Sequence, residues 1–225
     1  MPERAPLGVF GGTFDPVHLG HLRLAEEAAE LLGLAGVRWI PAGQPRHRDA
    51  PQVTSAHRLR MVELAIAGNP RFSVDATEVA QDASYTVPTL ERLRQELGAD
   101  QPLVLLVGAD AFAGLPSWHR WRELLSLAHL GVAHRPGFPL DAAGLPAELA
   151  ALLDQRRTDD PGVLATSPAG RICPFAMTPL AVSATQLRAL LASGRSARYL
   201  LPQPVIDYID THHLYRKPST SRNGS

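Results

Sequence analysis

Two histidines three residues apart are the chemical focus of the first part of the chain. His18 and His21 follow a short apolar run and the glycine pair Gly11 and Gly12. A spacing of three places both imidazoles on one face of a helix. They fall in its first turn, where unpaired backbone N–H groups and the helix dipole favour anions. Because each ring donates a hydrogen bond when neutral and gains charge if phosphate raises its pKa, the pattern predicts a phosphate clamp.

Simpler interpretations of these residues exist. A glycine pair is most often only a turn, and two histidines at this spacing are more often surface residues than ligands. A zinc site is another alternative, but these histidines lack the support of cysteine ligands. The combination of the glycine turn, Thr13, Asp15-Pro16 and a His-x-Gly-His segment opening a helix favours the phosphate site.

A second candidate phosphate contact lies near the end of the chain. Ser183 and Gln186 form a capping-box pattern, which by itself indicates only a good helix start. Thr185 and Arg188 add a hydroxyl and a guanidinium on one face of that helix. Since the planar fork of arginine donates paired hydrogen bonds, the group is suited to phosphate.

Two further residues could contact other parts of a ligand. Asp110, just after Gly108 at the end of an apolar run, can accept hydrogen bonds from ribose hydroxyls or can simply cap a helix. Trp118 offers a flat, electron-rich face that suits an electron-poor or cationic ring, with core packing as the alternative. Trp39 and Trp121 are assigned to the core.

Composition excludes several chemistries. The 225 residues carry 22 Lys+Arg against 22 Asp+Glu, which argues against a broad basic face for nucleic acid. The single lysine, Lys217, fits neither a Walker-type loop nor a Schiff-base enzyme. The single cysteine, Cys173, allows no intrachain disulfide and is expected to be a buried apolar residue. No apolar run is long enough to span a membrane and no secretory signal is visible, so we expect a cytoplasmic protein.

Apolar runs alternate with helical patterns, which predicts a parallel sheet covered on both faces. We expect an α/β fold, a single doubly wound, Rossmann-like domain over residues 1–215, with 136–170 as a surface excursion and 216–225 as a disordered tail. Ligands of such sheets bind beyond the carboxyl ends of the strands. The predicted strands are 7–10, 37–40, 72–79, 103–107, 130–133 and 172–177, and the predicted helices are 19–32, 54–67, 88–97, 118–127, 146–156, 183–192 and one from about 204.

The segment from Gly11 to Leu22 resembles the signature of the HxGH nucleotidylyltransferase superfamily. Later segments, in the right order over nearly the whole chain, resemble bacterial nicotinate-nucleotide adenylyltransferases. No one of these short matches is specific by itself, but their order and joint presence are specific to this family. The matching segments are 41–48, Arg58-x-x-Met61, Ser84-Tyr-Thr86, Val107-Gly-Ala-Asp110, Pro116-Ser-Trp118, Arg135-Pro-Gly137 and Val182-Ser-Ala-Thr-Gln-Leu-Arg188.

The resemblance implies a Rossmann-like fold of nucleotidylyltransferase type and transfer of the adenylyl group of ATP, with Mg²⁺, to nicotinate mononucleotide in NAD biosynthesis. It implies catalytic roles for His18, His21 and Arg188. It implies no metal-binding residue, because Mg²⁺ can be held by substrate phosphates and water. The implied ATP contacts are Gly11, Gly12, Thr13, Phe14, His18, His21, Gly108, Asp110, Ser183, Thr185 and Arg188. The implied contacts to the pyridine nucleotide are Thr13, His47, Tyr85, Thr86, Trp118 and Arg135, with main-chain groups near Tyr85 and Thr86 facing its carboxylate.

The chain departs from the family pattern at two positions. Arg46 stands where the family commonly has proline, and Ala184 replaces a serine. Residues 44–60 hold four arginines against one aspartate, which is either a solvated face or a source of attraction for phosphate. Alternative acceptors, nicotinamide mononucleotide or phosphopantetheine, stay open, as does a nucleotide-binding module without turnover. Neither nucleic acid nor a membrane is an expected partner, and a homo-oligomer is left open.

Overall fold

Six parallel strands form one sheet in the computed structural model, which describes residues 4–43, 50–80, 84–138 and 140–216. The spatial order is β3-β2-β1-β4-β5-β6, which confirms the doubly wound arrangement. Strand order reverses between β1 and β4, and a ligand crevice is expected there. The strands are β1 Leu7–Gly12, β2 Gly36–Pro41, β3 Phe72–Val74, β4 Leu103–Gly108, β5 His129–His134 and β6 Ile172–Ala176.

Strand β4 shows why the sheet is buried on both faces. Val104 and Leu106 pack in one apolar cluster, whereas Leu103, Leu105 and Val107 pack in the other. Successive side chains of a strand point to opposite faces, so the continuous apolar run supplies both clusters.

Eight helices in the described residues cover these two faces. Helices α1, α2, α7 and α8 contribute buried residues to the cluster that holds Val104, and α3, α4, α5 and α6 contribute to the cluster that holds Leu103. Their bounds are α1 Leu19–Leu31, α2 Ser55–Ile66, α3 Thr86–Leu97, α4 Ala109–Ala113, α5 Leu124–Leu127, α6 Ala147–Arg156, α7 Ala184–Ala192 and α8 Gln203–Thr211.

The third strand is shorter than its alternating pattern predicts. Strand β3 ends at Val74, and a 3-10 turn covers Thr77–Ala80. The Asp75 carboxylate accepts a hydrogen bond from the Thr77 N–H at 3.0 Å. Such a local bond offers the backbone an alternative to the sheet, which accounts for the early end of the strand.

The prediction of one helix over 118–127 is wrong. Short 3-10 turns cover Leu115–Ser117 and Trp121–Glu123, and only α5 is α-helical. Arg120 between them has φ 57°, in the left-handed region that a right-handed helix excludes. Its guanidinium donates to both Glu91 and Glu123, contacts that helical periodicity does not reveal.

Three residues assigned to the core from sequence are buried. Trp39 and Trp121 belong to the two apolar clusters. Cys173 is also buried, and this burial raises its pKa to about 11, so it remains a thiol. The segment 136–170, predicted as a surface excursion, carries α6, whose Leu149 and Leu153 are buried in the same cluster as Trp121.

Candidate active site

A large cavity opens at the carboxyl ends of β1, β4 and β5, beside the reversal in strand order. Its volume is about 1120 Å³. This is the edge of the sheet where the sequence places the ligand. Among the predicted site residues, it is lined by Gly11, Gly12, Thr13, Phe14, His18, His21, Gly108, Asp110, Trp118, Arg135, Ser183, Thr185 and Arg188.

The glycine pair has two different functions in the loop between β1 and α1. A Cβ on Gly12 would lie 2.8 Å from the Phe14 ring, so only glycine leaves room for that ring. A Cβ on Gly11 would meet nothing within 4 Å, because this position is open. Phe14 is itself buried, and its ring packs edge-on against His21 with centroids 5.2 Å apart. Gly12 therefore shapes the loop, while Gly11 leaves its backbone accessible from the cavity.

His18 and His21 form a stacked pair at the start of α1. His18 is the N-cap residue, and the ring centroids are 3.7 Å apart with an interplanar angle of 22°. The His18 backbone N–H donates to Nδ1 of His21 at 3.2 Å. Because Nδ1 accepts, the neutral His21 ring carries its proton on Nε2 and can donate from there.

The two histidines differ in burial. His18 is 6% exposed, whereas His21 is partly exposed. Burial lowers the pKa of His18 to about 4, so the ring is neutral at physiological pH without a ligand. Its Nδ1 is buried and has no hydrogen-bond partner in the described residues. A bound anion would favour protonation of this ring, as the sequence analysis expects for a phosphate site.

Gly20 leaves room for the His18 ring. A Cβ at this position would lie 3.1 Å from Cε1 and Nδ1 of His18 and 3.0 Å from the Val182 side chain. Contacts this close force a neighbour to move. The glycine between the histidines thus lets the His18 ring lie against the helix.

Arg58 is a structural support of the site that sequence reasoning did not identify. It is 1% exposed, and its guanidinium donates to the carbonyl oxygens of Thr13, at 2.7 Å, and Gly43. It therefore ties the loop after β1 to the end of β2, and it belongs neither to a solvated face nor to the cavity lining. The signal that could have indicated burial is its position three and four residues before Met61 and Val62, on the same face of α2.

The predicted phosphate contacts of α7 lie at the same cavity. Ser183 is the N-cap and accepts from the Gln186 N–H at 3.3 Å, which confirms the N-cap half of the capping pattern, while its hydroxyl donates to the Gln186 side chain. Arg188 donates to the Thr185 hydroxyl at 3.2 Å and to the backbone carbonyl of Asp15 at 2.8 Å. The second contact brings α7 to the loop after β1, so the two candidate phosphate sites form one surface.

A smaller cavity of about 320 Å³ adjoins the large one. Its lining includes Trp118 together with Tyr85, the N-cap of α3, and Thr86, its first residue. The first backbone N–H groups of a helix lack partners within the helix and suit a carboxylate. The two cavities share lining residues at Gly11, Gly12, Thr13, Leu106, Val107, Asp110, Ala111 and Trp118.

Comparison with known proteins identifies the family. Residues 9–190 match the cytidylyltransferase-like family model. A protein of Dechloromonas aromatica strain RCB described as "probable nicotinate-nucleotide adenylyltransferase" is 66% identical over 212 residues, which cover 94% of this chain and 98% of that protein. A protein of the same description from Pseudomonas paraeruginosa is 54% identical over 214 residues, with 94% and 98% covered. The chain belongs to the nicotinate-nucleotide adenylyltransferases.

Solved structures agree with this assignment at the level of the fold. The Plasmodium falciparum nicotinic acid mononucleotide adenylyltransferase complexed with NaAD superposes with a TM-score of 0.70 at 15% identity. The match covers 94% of this chain and 98% of that one. This match supports the Rossmann-like architecture, while the sequence relatives confirm the resemblance inferred from the motifs and show that the chain is a nucleotidyltransferase.

The adenylyltransferase site contains a buried carboxyl that the motifs did not single out. Glu78 is 7% exposed and lines the smaller cavity. It accepts a hydrogen bond from the Thr89 hydroxyl, and burial raises its pKa. Glu78 lies in a 3-10 turn that was predicted as part of a strand, so the sequence did not indicate that it lines the cavity.

Three predictions concern residues at the margins of the adenylyltransferase site. Arg135 lines the large cavity but not the smaller one, so it lies away from Tyr85 and Thr86. Gly108 is the N-cap of α4 and Asp110 lies within its first turn, so Asp110 is not the cap. His47 falls outside the described residues.

Neither a metal cluster nor a spanning helix is found in the described ranges. No group of three or more His, Cys, Asp or Glu side chains there could hold a metal ion. No helix among them is long and apolar enough to cross a membrane.

Proposed function

We propose that the chain transfers the adenylyl group of ATP to nicotinate mononucleotide, giving nicotinate adenine dinucleotide and pyrophosphate in the cytoplasm. The observation that carries this proposal is the pair of adjoining cavities with a common wall. One has a histidine pair and an arginine suited to phosphates, and the other has a tryptophan and a helix start suited to a pyridine carboxylate.

ATP occupies the larger cavity in this proposal. Its phosphates lie along Gly11 and the start of α1, where backbone N–H groups and the His21 Nε2 proton face an anion. Its ribose lies near Asp110, whose carboxylate accepts from hydroxyl groups. Gly12 and Phe14 act mainly by fixing the loop that presents these donors.

The attacking group belongs to the substrate. A phosphate monoester has its second pKa near 6 and is mostly dianionic at neutral pH, so no protein base is needed. Its oxygen forms a new bond to the α-phosphorus of ATP as the bond from that phosphorus to the bridging oxygen breaks. Pyrophosphate leaves with the electron pair of the broken bond. Catalysis is then mainly positioning and electrostatic stabilisation.

His18 and His21 stabilise the charge that develops during this step. His21 donates from Nε2 to the reacting phosphate, and His18 holds a neighbouring phosphate oxygen and takes up a proton as the anion binds. Ser183, Thr185 and Arg188 bind the distal phosphates that become pyrophosphate. Magnesium enters as part of the Mg-ATP substrate, coordinated by phosphate oxygens and water, and offsets their negative charge.

The pyridine ring of nicotinate mononucleotide occupies the smaller cavity. Trp118 stacks on the electron-poor ring. The N–H groups of Tyr85 and Thr86 donate to its carboxylate, while Thr13 and Arg135 lie toward the phosphate. Glu78 favours a second candidate, nicotinamide mononucleotide, because a carboxylate accepts from a carboxamide and repels another carboxylate.

The test is pyrophosphate release from Mg-ATP with nicotinate or nicotinamide mononucleotide at equal concentration. A reaction without acceptor and one with His21→Ala measure the background. We expect clear preference for the acid. Equal use would retain adenylyl transfer and reject the carboxylate contact, while preference for the amide would favour the second candidate. If neither acceptor gives pyrophosphate release, the proposed reaction is rejected.

A further inference from the structure

Arg188 has its guanidinium committed to the protein at two points. One N–H of Nη1 donates to the Asp15 carbonyl and one of Nη2 donates to the Thr185 hydroxyl. An arginine has two N–H groups on each of these nitrogens. One donor on each therefore lacks a partner within the described part of the chain and is available to a phosphate at the large cavity.

The Asp15 carboxylate is a competitor for these donors. Its Oδ2 lies 3.9 Å from Nη1 of Arg188, and the Asp15 side chain is only 5% exposed. Arginine and carboxylate groups pair most strongly through two parallel hydrogen bonds. A slightly closer approach would form that pair and remove both available donors from the cavity.

Two other donors occupy the carboxylate. Its Oδ2 accepts from the Gln52 backbone N–H at 2.8 Å, and its Oδ1 accepts from the Tyr215 hydroxyl at 2.6 Å. Tyr215 is 7% exposed and lies outside the lining of both cavities. Because burial raises its pKa, the hydroxyl stays protonated and acts as a donor.

We infer that Tyr215 is a positioning residue for phosphate binding: its hydroxyl holds the Asp15 carboxylate and thereby keeps Arg188 available to the distal phosphates of ATP. Tyr215 does not touch the substrate. Without its hydroxyl, Oδ1 of Asp15 loses a buried partner. Among the described residues, Arg188 is the cation within ion-pair distance of this carboxylate, with Nη1 at 3.9 Å from Oδ2. This inference rests on the proposed function, since it assigns Arg188 to the ATP phosphates.

The first variant is Tyr215→Phe, with Tyr208→Phe as the matched control. Tyr208 is on α8 and its hydroxyl contacts His57 at 2.9 Å, away from both cavities. Loss of one hydrogen bond to a charged group predicts that Tyr215→Phe raises the KM for ATP about fivefold. We expect the KM for nicotinate mononucleotide to stay within about twofold, since its ring does not depend on Arg188.

A double variant separates positioning from general stability. In an Arg188→Ala background, Tyr215→Phe should raise the KM for ATP no further, because the residue through which it acts is absent. Melting temperatures of all variants, and ATP affinity by calorimetry, are measured in parallel. A lower melting temperature with unchanged ATP affinity, or an equal effect in the Arg188→Ala background, would overturn the inference. Absence of turnover in the wild type would instead refute the proposed function.

Discussion

The two cavities are built in different ways. On the phosphate side, which is the large cavity, buried polar groups fix the loop after β1. Arg58 donates to two carbonyl oxygens, and Asp15 accepts from Tyr215 and Gln52. On the pyridine side, which is the smaller cavity, Tyr85, Thr86 and Trp118 are only partly buried. Trp118 lies between two short 3-10 turns.

The difference reflects what each side must do. Phosphate chemistry needs donors fixed where charge develops, since donors that reorient during the reaction lose much of their effect. A pyridine ring needs a flat apolar surface and a few donors, which tolerate small displacements. Variants of the histidine pair should therefore alter turnover. Variants at the contacts to the distal phosphates should alter the KM for ATP, and variants on the pyridine side should alter the KM for nicotinate mononucleotide.

The largest expected effect is that of His21→Ala. Removal of one preorganised donor from a developing charge should lower kcat at least ~100-fold while the fold is retained. Steady-state rates at saturating substrate measure the effect, and circular dichroism checks the fold. His212→Ala is the control, because this exposed histidine of the His57–Tyr208 group lies outside both cavities. A near-normal rate for His21→Ala would exclude it from the mechanism.

His18 should make stability depend on pH. The unfolded chain takes up a proton below pH 6.5, whereas the folded ring remains neutral down to about pH 4. Stability is therefore lost as pH falls through this window, by about 2 kcal/mol between pH 7 and 5. Urea unfolding of the wild type and His18→Asn at both pH values isolates this contribution.

The protonation of His18 also tests whether an anion binds on the phosphate side. Pyrophosphate, which fits the phosphate side, should raise the His18 pKa, and histidine NMR signals would record the change. If the free energy of unfolding depends on pH equally in the wild type and in His18→Asn, burial does not hold this ring neutral.

Trp118→Ala should act mainly on one substrate. Loss of ring stacking is expected to raise the KM for nicotinate mononucleotide about tenfold and to change the KM for ATP much less. Trp118→Phe is the control, since it retains a ring at the same position. Similar changes for both substrates would indicate that this residue shapes the common wall rather than the pyridine side.

The smallest effect is expected from Ser183→Ala. Loss of an N-cap hydroxyl should lower the free energy of unfolding by about 1 kcal/mol. Thr54→Ala removes the corresponding cap of α2 and should cost a similar amount. Only Ser183→Ala should also raise the KM for ATP, by about twofold to threefold. Identical kinetics in the two variants would leave Ser183 with a capping role alone.

Much of the fold could be predicted because its signals are local. Strand β4 is a continuous apolar run, and Ser183 and Gln186 mark the start of α7. The histidine pair was likewise visible because its spacing, a following helix and a preceding glycine turn all lie within one short segment.

The supporting residues could not be predicted, since their partners are distant in sequence. Arg58 appears as one of several arginines until its contacts with Thr13 and Gly43 are seen. Arg120, where the predicted helix is interrupted, donates to Glu91 of α3, a partner 29 residues away in the sequence. Periodicity reports which face of an element is apolar but does not report which polar group meets another across the fold.

The contact between Asp15 and Tyr215 spans 200 positions of the chain. During synthesis the ribosome releases the glycine loop early, and five further strands emerge before the tyrosine does. A shortened product that ends at residue 214 would contain every histidine, serine and arginine assigned to phosphate. It would nevertheless lack the hydroxyl that occupies Asp15, so a nascent chain would acquire this contact only after the whole sheet has been made.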